Sequence, residues 1–210
     1  MTAAVPQELA DFRMKEEEGV QCLITGMGPR GGEVVKRRLR QRDIGLVISA
    51  GFAGGIRPGF KIGDLVVASE VIHSASGQRW KPNSFNFGLT DLASLGPFVT
   101  VEQVLTNPQL KSEAGLRFGA IAADLETAAV AEAANQAGVA WIAVRAILDP
   151  MEKTLQVGSW REFFKLLAVP SRWQELSSFL AAMRTASRSL ADGLKCLVER
   201  IKAERQRGEF

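Results

Sequence analysis

Two apolar runs constrain the fold of this 210-residue chain more than any other feature: Gly45-Leu-Val-Ile-Ser-Ala and Val139-Ala-Trp-Ile-Ala-Val-Arg-Ala-Ile-Leu. Neither alternates polar with apolar residues, so each reads as a strand covered on both faces, the condition of a strand inside a largely parallel sheet. Such a sheet needs helices on both sides. The basic stretch Glu33-Val-Val-Lys-Arg-Arg-Leu-Arg and the alanine-rich stretch from Glu126 to Gln136, stopped by Gly138, are helical candidates. Further strands are read at residues 20–25, 62–72 and 119–125. Residues 74–98, broken by Pro82, Asn83, Asn86 and Gly88, read as an irregular loop over the site. From about residue 159 the chain turns helical, with apolar stripes at Trp173, Leu176, Phe179, Leu180, Met183 and at Leu190, Leu194, Leu197, Ile201. The expectation is one α/β domain spanning residues 1–210, three αβα layers around a central mixed, twisted β-sheet.

Lys and Arg exceed Asp and Glu by 26 − 23 = 3, too small a surplus to argue for a nucleic-acid partner. The basic residues between Arg30 and Arg42, and Lys202, Arg205 and Arg207 near the end, read as solvated helix faces ahead of phosphate or membrane contacts. No stretch approaches 18 uncharged apolar residues, and no basic segment followed by an apolar run opens the chain, so neither a membrane span nor secretion is expected. Cys22 and Cys196 lie far apart without metal-ligand spacing. A reduced, cytoplasmic chain without a metal is the expectation. His73, the sole histidine, reads as a surface or packed side chain.

Acidic residues at strand ends are the chemical candidates, because ligands of α/β sheets bind at the carboxyl ends of strands. Glu126 and Asp149 each follow an apolar strand, and Arg145 lies on the second of them. Each also has a structural explanation: Glu126 as a first-turn helix residue, Asp149 as a turn former before proline, Arg145 as a buried ion-pair partner. Two glycine turns, Gly26-Met-Gly-Pro-Arg-Gly and Gly51-Phe-Ala-Gly-Gly, offer backbone N–H groups to a sugar or an anion. The first matches G-x-G-x-x-G, but Pro29 and the missing acidic residue after the next strand weaken a dinucleotide assignment.

In order along the chain, three segments carry a resemblance. They are Thr25-Gly-Met-Gly; the long segment from Val47-Ile-Ser-Ala-Gly-Phe-Ala-Gly-Gly-Ile-Arg-Pro to Lys-Ile-Gly-Asp-Leu-Val-Val; and Ala123-Asp-Leu-Glu-Thr-Ala-Ala with Ala143-Val-Arg-Ala-Ile-Leu-Asp. Together they resemble the purine nucleoside phosphorylase and methylthioadenosine/S-adenosylhomocysteine nucleosidase superfamily across residues 20–150. Asp149-Pro-Met-Glu-Lys and the late helices look most like its hopanoid-associated phosphorylase branch. The resemblance implies cleavage of a purine N-glycosidic bond through an oxocarbenium-like sugar, with a 5′-methylthioadenosine-like or other 5′-substituted substrate. It implies Asp149 as proton donor to the base, Glu8 as the base activating water, Arg145 beside the nucleophile, and Glu126 on the ribose hydroxyls. Leu125, Gly51, Phe52 and Ala53 would complete the nucleoside contacts. Gly28 and Arg30, with Arg57, are the candidates for a phosphate site. Phosphate enters as a possible co-substrate; no other cofactor is implied, and a homo-oligomer is.

The chain departs from the family pattern at Ser49 and Phe52, where phosphate-binding residues are expected, which favours water over phosphate as the nucleophile. Leu125 replaces a methionine, and Leu148 replaces a serine beside the terminal aspartate. The first strand is nearly absent, since only residues 1–5 precede the Glu8 segment. Two alternatives follow. One is phosphorolysis of an adenosyl nucleoside with a large apolar 5′ group, seated against Trp80, Phe85 and Phe87. The other is a degenerate protein that binds a nucleoside without turning it over.

Overall fold

The two apolar runs become neighbouring strands, β3 (Leu46–Gly55) and β8 (Ala140–Asp149), paired in parallel from Leu46 opposite Ala140 to Ala53 opposite Ile147. Strand alternation sends successive residues to opposite faces, and both faces are covered, so apart from Ser49 and Arg145 the two runs are apolar. Val47, Ala53, Trp141, Ala143 and Ile147 pack under α1 (Arg30–Leu39) and α3 (Thr127–Gln136), alongside Val35, Ala131 and Ala134. The residues between them, Ile48, Ala50, Ile142, Val144 and Ala146, pack under α4 (Trp173–Gln206), alongside Leu190, Leu194 and Leu197. Helices therefore cover both faces of a mixed sheet, the αβα arrangement expected. The computed structural model describes residues 1–12, 19–26, 28, 30–41, 44–82, 91, 93–153 and 173–207.

The remaining strands are β1 (Thr2–Ala3), β2 (Leu23–Ile24), β4 (Leu65–His73), β5 (Arg79–Trp80), β6 (Ser94–Thr100) and β7 (Ala122–Asp124). β1 lies parallel to both β2 and β3. β4 runs antiparallel to β8 and β5 and parallel to β6, while β6 is parallel to β7. The end of β3 then turns back: Gly54 and Gly55 pair antiparallel with Ala123 and Ala122. The turn coincides with a register shift at Ala53/Gly54, where β8 carries Leu148 as an extra residue, and such bulges bend a strand and re-aim side chains. By this pairing β3, β8, β4, β6 and β7 close on themselves, bringing the ends of β3, β7 and β8 together.

Four sequence expectations change. Gly51-Phe-Ala-Gly-Gly is strand, not turn, and none of Gly51, Gly54 or Gly55 has a positive φ; Gly51 admits a close neighbour rather than a left-handed backbone. Residues 74–98 are not wholly loop, because β5 and the start of β6 fall within them. Gly96 and Pro97 hide β6 from a propensity reading. Pro97 is tolerated because it sits at a bulge, with Ala68 opposite Gly96 and Glu70 opposite Pro97. The strand read at 20–25 shrinks to Leu23–Ile24, and the N-terminal strand, though two residues long, is present and paired on both sides. Helix α2 (Pro108–Phe118) went unread, although Asn107 Oδ1 accepts from Leu110 N at 2.9 Å, Pro108 opens it and Gly119 closes it at φ +64°.

Other expectations stand. Gly26 and Gly28 have φ of +76° and +77°, and Gly138 (φ +66°) follows α3. His73 holds a surface turn through Ser76. Of the α4 stripe, Leu176 and Met183 are buried and Leu180 is exposed; the start near residue 159 and the Trp173 side chain lie outside the described residues. Among those residues no helix is long and apolar enough to cross a membrane.

α2 sits close against the sheet end: a Cβ on Gly115 would lie 2.4 Å from the Ile56 carbonyl oxygen, a backbone atom that cannot swing aside. Gly115→Ala should therefore destabilise the protein by about 1–3 kcal/mol, measured as a lower midpoint in urea unfolding.

Candidate active site

The N-terminal segment delivers the first carboxylate. Glu8 lies in a short 3₁₀ turn, Pro6–Leu9, and is 5% exposed. Its Oε2 accepts from Ala4 N at 2.7 Å and Val5 N at 3.1 Å, while Oε1 accepts from Phe52 N at 2.9 Å, 44 residues away. The carboxylate crosses β3 where only glycine fits: a Cβ on Gly51 would lie 2.6 Å from Oε1. Burial raises the Glu8 pKa above the ordinary value, opposed first by the charge of Arg145 and then by the three backbone donors.

Arg145 is the centre of the next layer. It is 2% exposed, and its Nε donates to Asp124 Oδ2 at 3.0 Å, within an ion pair also reaching that oxygen from Nη2 at 3.0 Å. Nη1 donates to the carbonyls of Ser49 (2.8 Å) and Val144 (3.0 Å), and Nη2 to Ser49 Oγ (3.0 Å) and to Thr127 Oγ1. Asp124 also accepts from Thr100 Oγ1 at 2.8 Å and from Thr127. The buried-pair explanation of Arg145 is thus realised.

Glu126 stands at the entrance to α3 without capping it, and its Oε1 accepts from Gly28 N at 3.3 Å. Desolvation, followed by the negative charge of Asp124, pushes its pKa up to about 7, with Arg145 acting the other way. Glu8, Glu126, Ser49 and Arg145 line one small space, with Thr2, Thr25 and Val130 among its walls, of about 10 Å³, the size that holds one water.

Asp149 lies elsewhere along the same strands and does not line that space. It is opposite Gly54, three residues of β3 beyond Gly51, or about 10 Å along a strand. Burial pushes its pKa up to about 6 against the opposing pull of Lys111. Lys111 Nζ pairs with Oδ2 at 2.5 Å, and Oδ1 is buried without a hydrogen-bond partner among the described residues.

The other expected contacts divide. Leu125 and Gly28, which flank Glu126, line a larger hollow of about 660 Å³ bounded also by Lys36, His73, Trp80 and Thr100, within the range of small-molecule sites. Phe52 contributes its backbone N–H to Glu8, and Gly28 its own to Glu126, so both amides already serve carboxylates. Ala53 packs into the core rather than facing a ligand. Arg57 is exposed and donates to Gly119 O at 3.1 Å, closing α2. The Arg30 side chain, Phe85 and Phe87 lie outside the described residues, while Trp80 is buried. Lys111, Asp124, Thr100 and Thr127 were missed. Asp124 stood inside a quoted motif and could have been paired with Arg145, whereas Lys111 gave no signal because nothing in a sequence announces a buried lysine.

Many solved structures share this fold. The 5′-methylthioadenosine/S-adenosylhomocysteine nucleosidase of Neisseria meningitidis superposes with a TM-score of 0.71 at 18% identity, covering 95% of this chain and 96% of its own. The Helicobacter pylori enzyme of the same description gives 0.69 at 16%, covering 94% and 96%. The H. pylori futalosine hydrolase gives 0.70 at 16%, covering 94% and 95%. No curated protein matches the chain by sequence. The fold of this chain is the one these nucleosidase and hydrolase structures share. Residues 11–169 match the phosphorylase superfamily, and the chain belongs to that family.

Two outcomes follow from the buried charges. Arg145→Met strands Asp124 without its partner and should cost about 3–5 kcal/mol of stability, read by chemical denaturation. A carboxyl whose folded pKa is raised holds its proton more tightly folded than unfolded, so its contribution to stability falls as pH rises between the two values. For Glu126 that window runs from 4.5 to about 7. Glu126→Gln should flatten the decline in melting temperature across it.

Proposed function

We propose that the protein hydrolyses the N-glycosidic bond of a purine nucleoside carrying a 5′ substituent. The observation that carries this reading is the water-sized space between Glu8, Glu126, Ser49 and Arg145. Oxygen of a water held there attacks C1′ while its proton passes to Glu8, whose burial makes it a stronger base than an exposed glutamate. The C1′–N9 bond breaks, the sugar passes through an oxocarbenium-like state, and the purine leaves with a proton received from Asp149 at N7. Glu126 accepts hydrogen bonds from the ribose hydroxyls as positive charge builds on the ring. Arg145 holds the surrounding carboxylates in place rather than touching substrate, since its guanidinium is already engaged by Asp124, Ser49, Val144 and Thr127.

The structures with this fold include a nucleosidase for methylthioadenosine and S-adenosylhomocysteine and a futalosine hydrolase, which supports a 5′-substituted nucleoside and water as nucleophile. The amides of Gly28 and Phe52, expected to serve an anion, instead face Glu126 and Glu8, and a phosphate beside those carboxylates would meet like charge.

Methylthioadenosine, adenosine and inosine, each incubated with and without phosphate, test the reading by release of free base. Free base and reducing sugar without phosphate are expected, with Asp149→Asn lowering kcat by about 10²–10⁴. Ribose 1-phosphate formed only with phosphate would replace water by phosphate. No base under either condition, from folded protein, would remove the catalytic assignment.

A further inference from the structure

Lys111 on α2 is 0% exposed, and a lysine is almost never fully buried unless paired. Its ammonium has three partners: Asp149 Oδ2 at 2.5 Å, Pro150 O at 2.8 Å and Lys153 O at 2.8 Å. Three donors thus meet three acceptors, and all three belong to the segment that ends β8. Asp149 is treated asymmetrically: Oδ2 is fixed, while buried Oδ1 has no partner among the described residues. Leaving a buried acceptor without a donor is unfavourable, and here the unmatched atom lies at the carboxyl end of a central strand, where α/β sheets bind ligands.

We propose that Lys111 is a positioning residue for the leaving-group acid: it locks Oδ2 and the two carbonyls beyond it, so that Oδ1 is the one oxygen left to pass a proton to the departing purine. This deepens the reading of Asp149 given above and rests on it. The charged groups acting on Asp149 among the described residues are Lys111 from α2 and Lys153 just past β8. The partner of Asp149 on β3 is Gly54, which carries no side chain. Burial raises the carboxyl toward neutrality and the two lysines restrain it. Removing the Lys111 charge therefore raises it further. Since a general acid works while protonated, the pH at which activity falls away must rise with it.

The test compares wild type with Lys111→Met, and with Lys111→Gln, which still offers donors to the two carbonyls should the first variant not fold. The Asp149 carboxyl is titrated by carbon NMR in free protein, and kcat/KM for methylthioadenosine is followed against pH. The Asp149 midpoint should rise by about one to three units, and the basic limb of the pH profile should move in the same direction. A midpoint that stays in place in a folded variant overturns the role of Lys111, whether or not nucleoside is cleaved. Absence of turnover by wild type would instead overturn the hydrolase reading, leaving the titration to decide on Lys111.

Discussion

A guanidinium sealed from water has to be answered by the protein around it, and the burial of Arg145 organises this end of the molecule. Its partners come from four elements: Asp124 from β7, Ser49 from β3, the Val144 carbonyl of β8 itself and Thr127 from α3. Each bond is worth little against water, but leaving any one donor unmet in a low-dielectric interior is expensive. The charge therefore fixes where β7 meets β3 and where α3 begins. Breaking it from either side leaves a buried ion alone.

Around that centre the protein keeps three further carboxyls in places that favour their protonated forms. Glu8, Glu126 and Asp149 are all raised, each chiefly by burial. Arg145 restrains both Glu8 and Glu126, joined by three backbone amides at the first and one at the second, while lysines restrain Asp149. The burial of Glu8 also accounts for Gly51 of β3, which admits its carboxylate.

Much of the candidate site is legible in the residues themselves. The apolar runs at 45–50 and 139–148 showed two buried strands because both faces of each had to be covered, and Glu126 and Asp149 stood out as acids at strand ends. Glu8 was ambiguous: an acid near a chain start is ordinarily solvated, and only the crossing of β3 makes it a buried one. β6 was hidden because Gly96 and Pro97 obey a bulge opposite, which local propensity does not encode. The Gly51–Gly55 stretch read as a turn because glycine's freedom and glycine's small size look identical in a sequence.

Hydrophobic pattern and glycine or proline punctuation are short-range properties, so the sequence alone determined the layered α/β class, the covered strands and the motifs that mark the family. Contacts between residues far apart in the chain decided the rest: Phe52 on Glu8 across 44 residues, Ser49 on Arg145 across 96, and Lys111 on Pro150 across 39. Their energies depend on burial and distance, neither of which exists until the chain has folded. The ion pair of Asp149 with Lys111 is the clearest case, since each partner taken separately is an unremarkable charged residue.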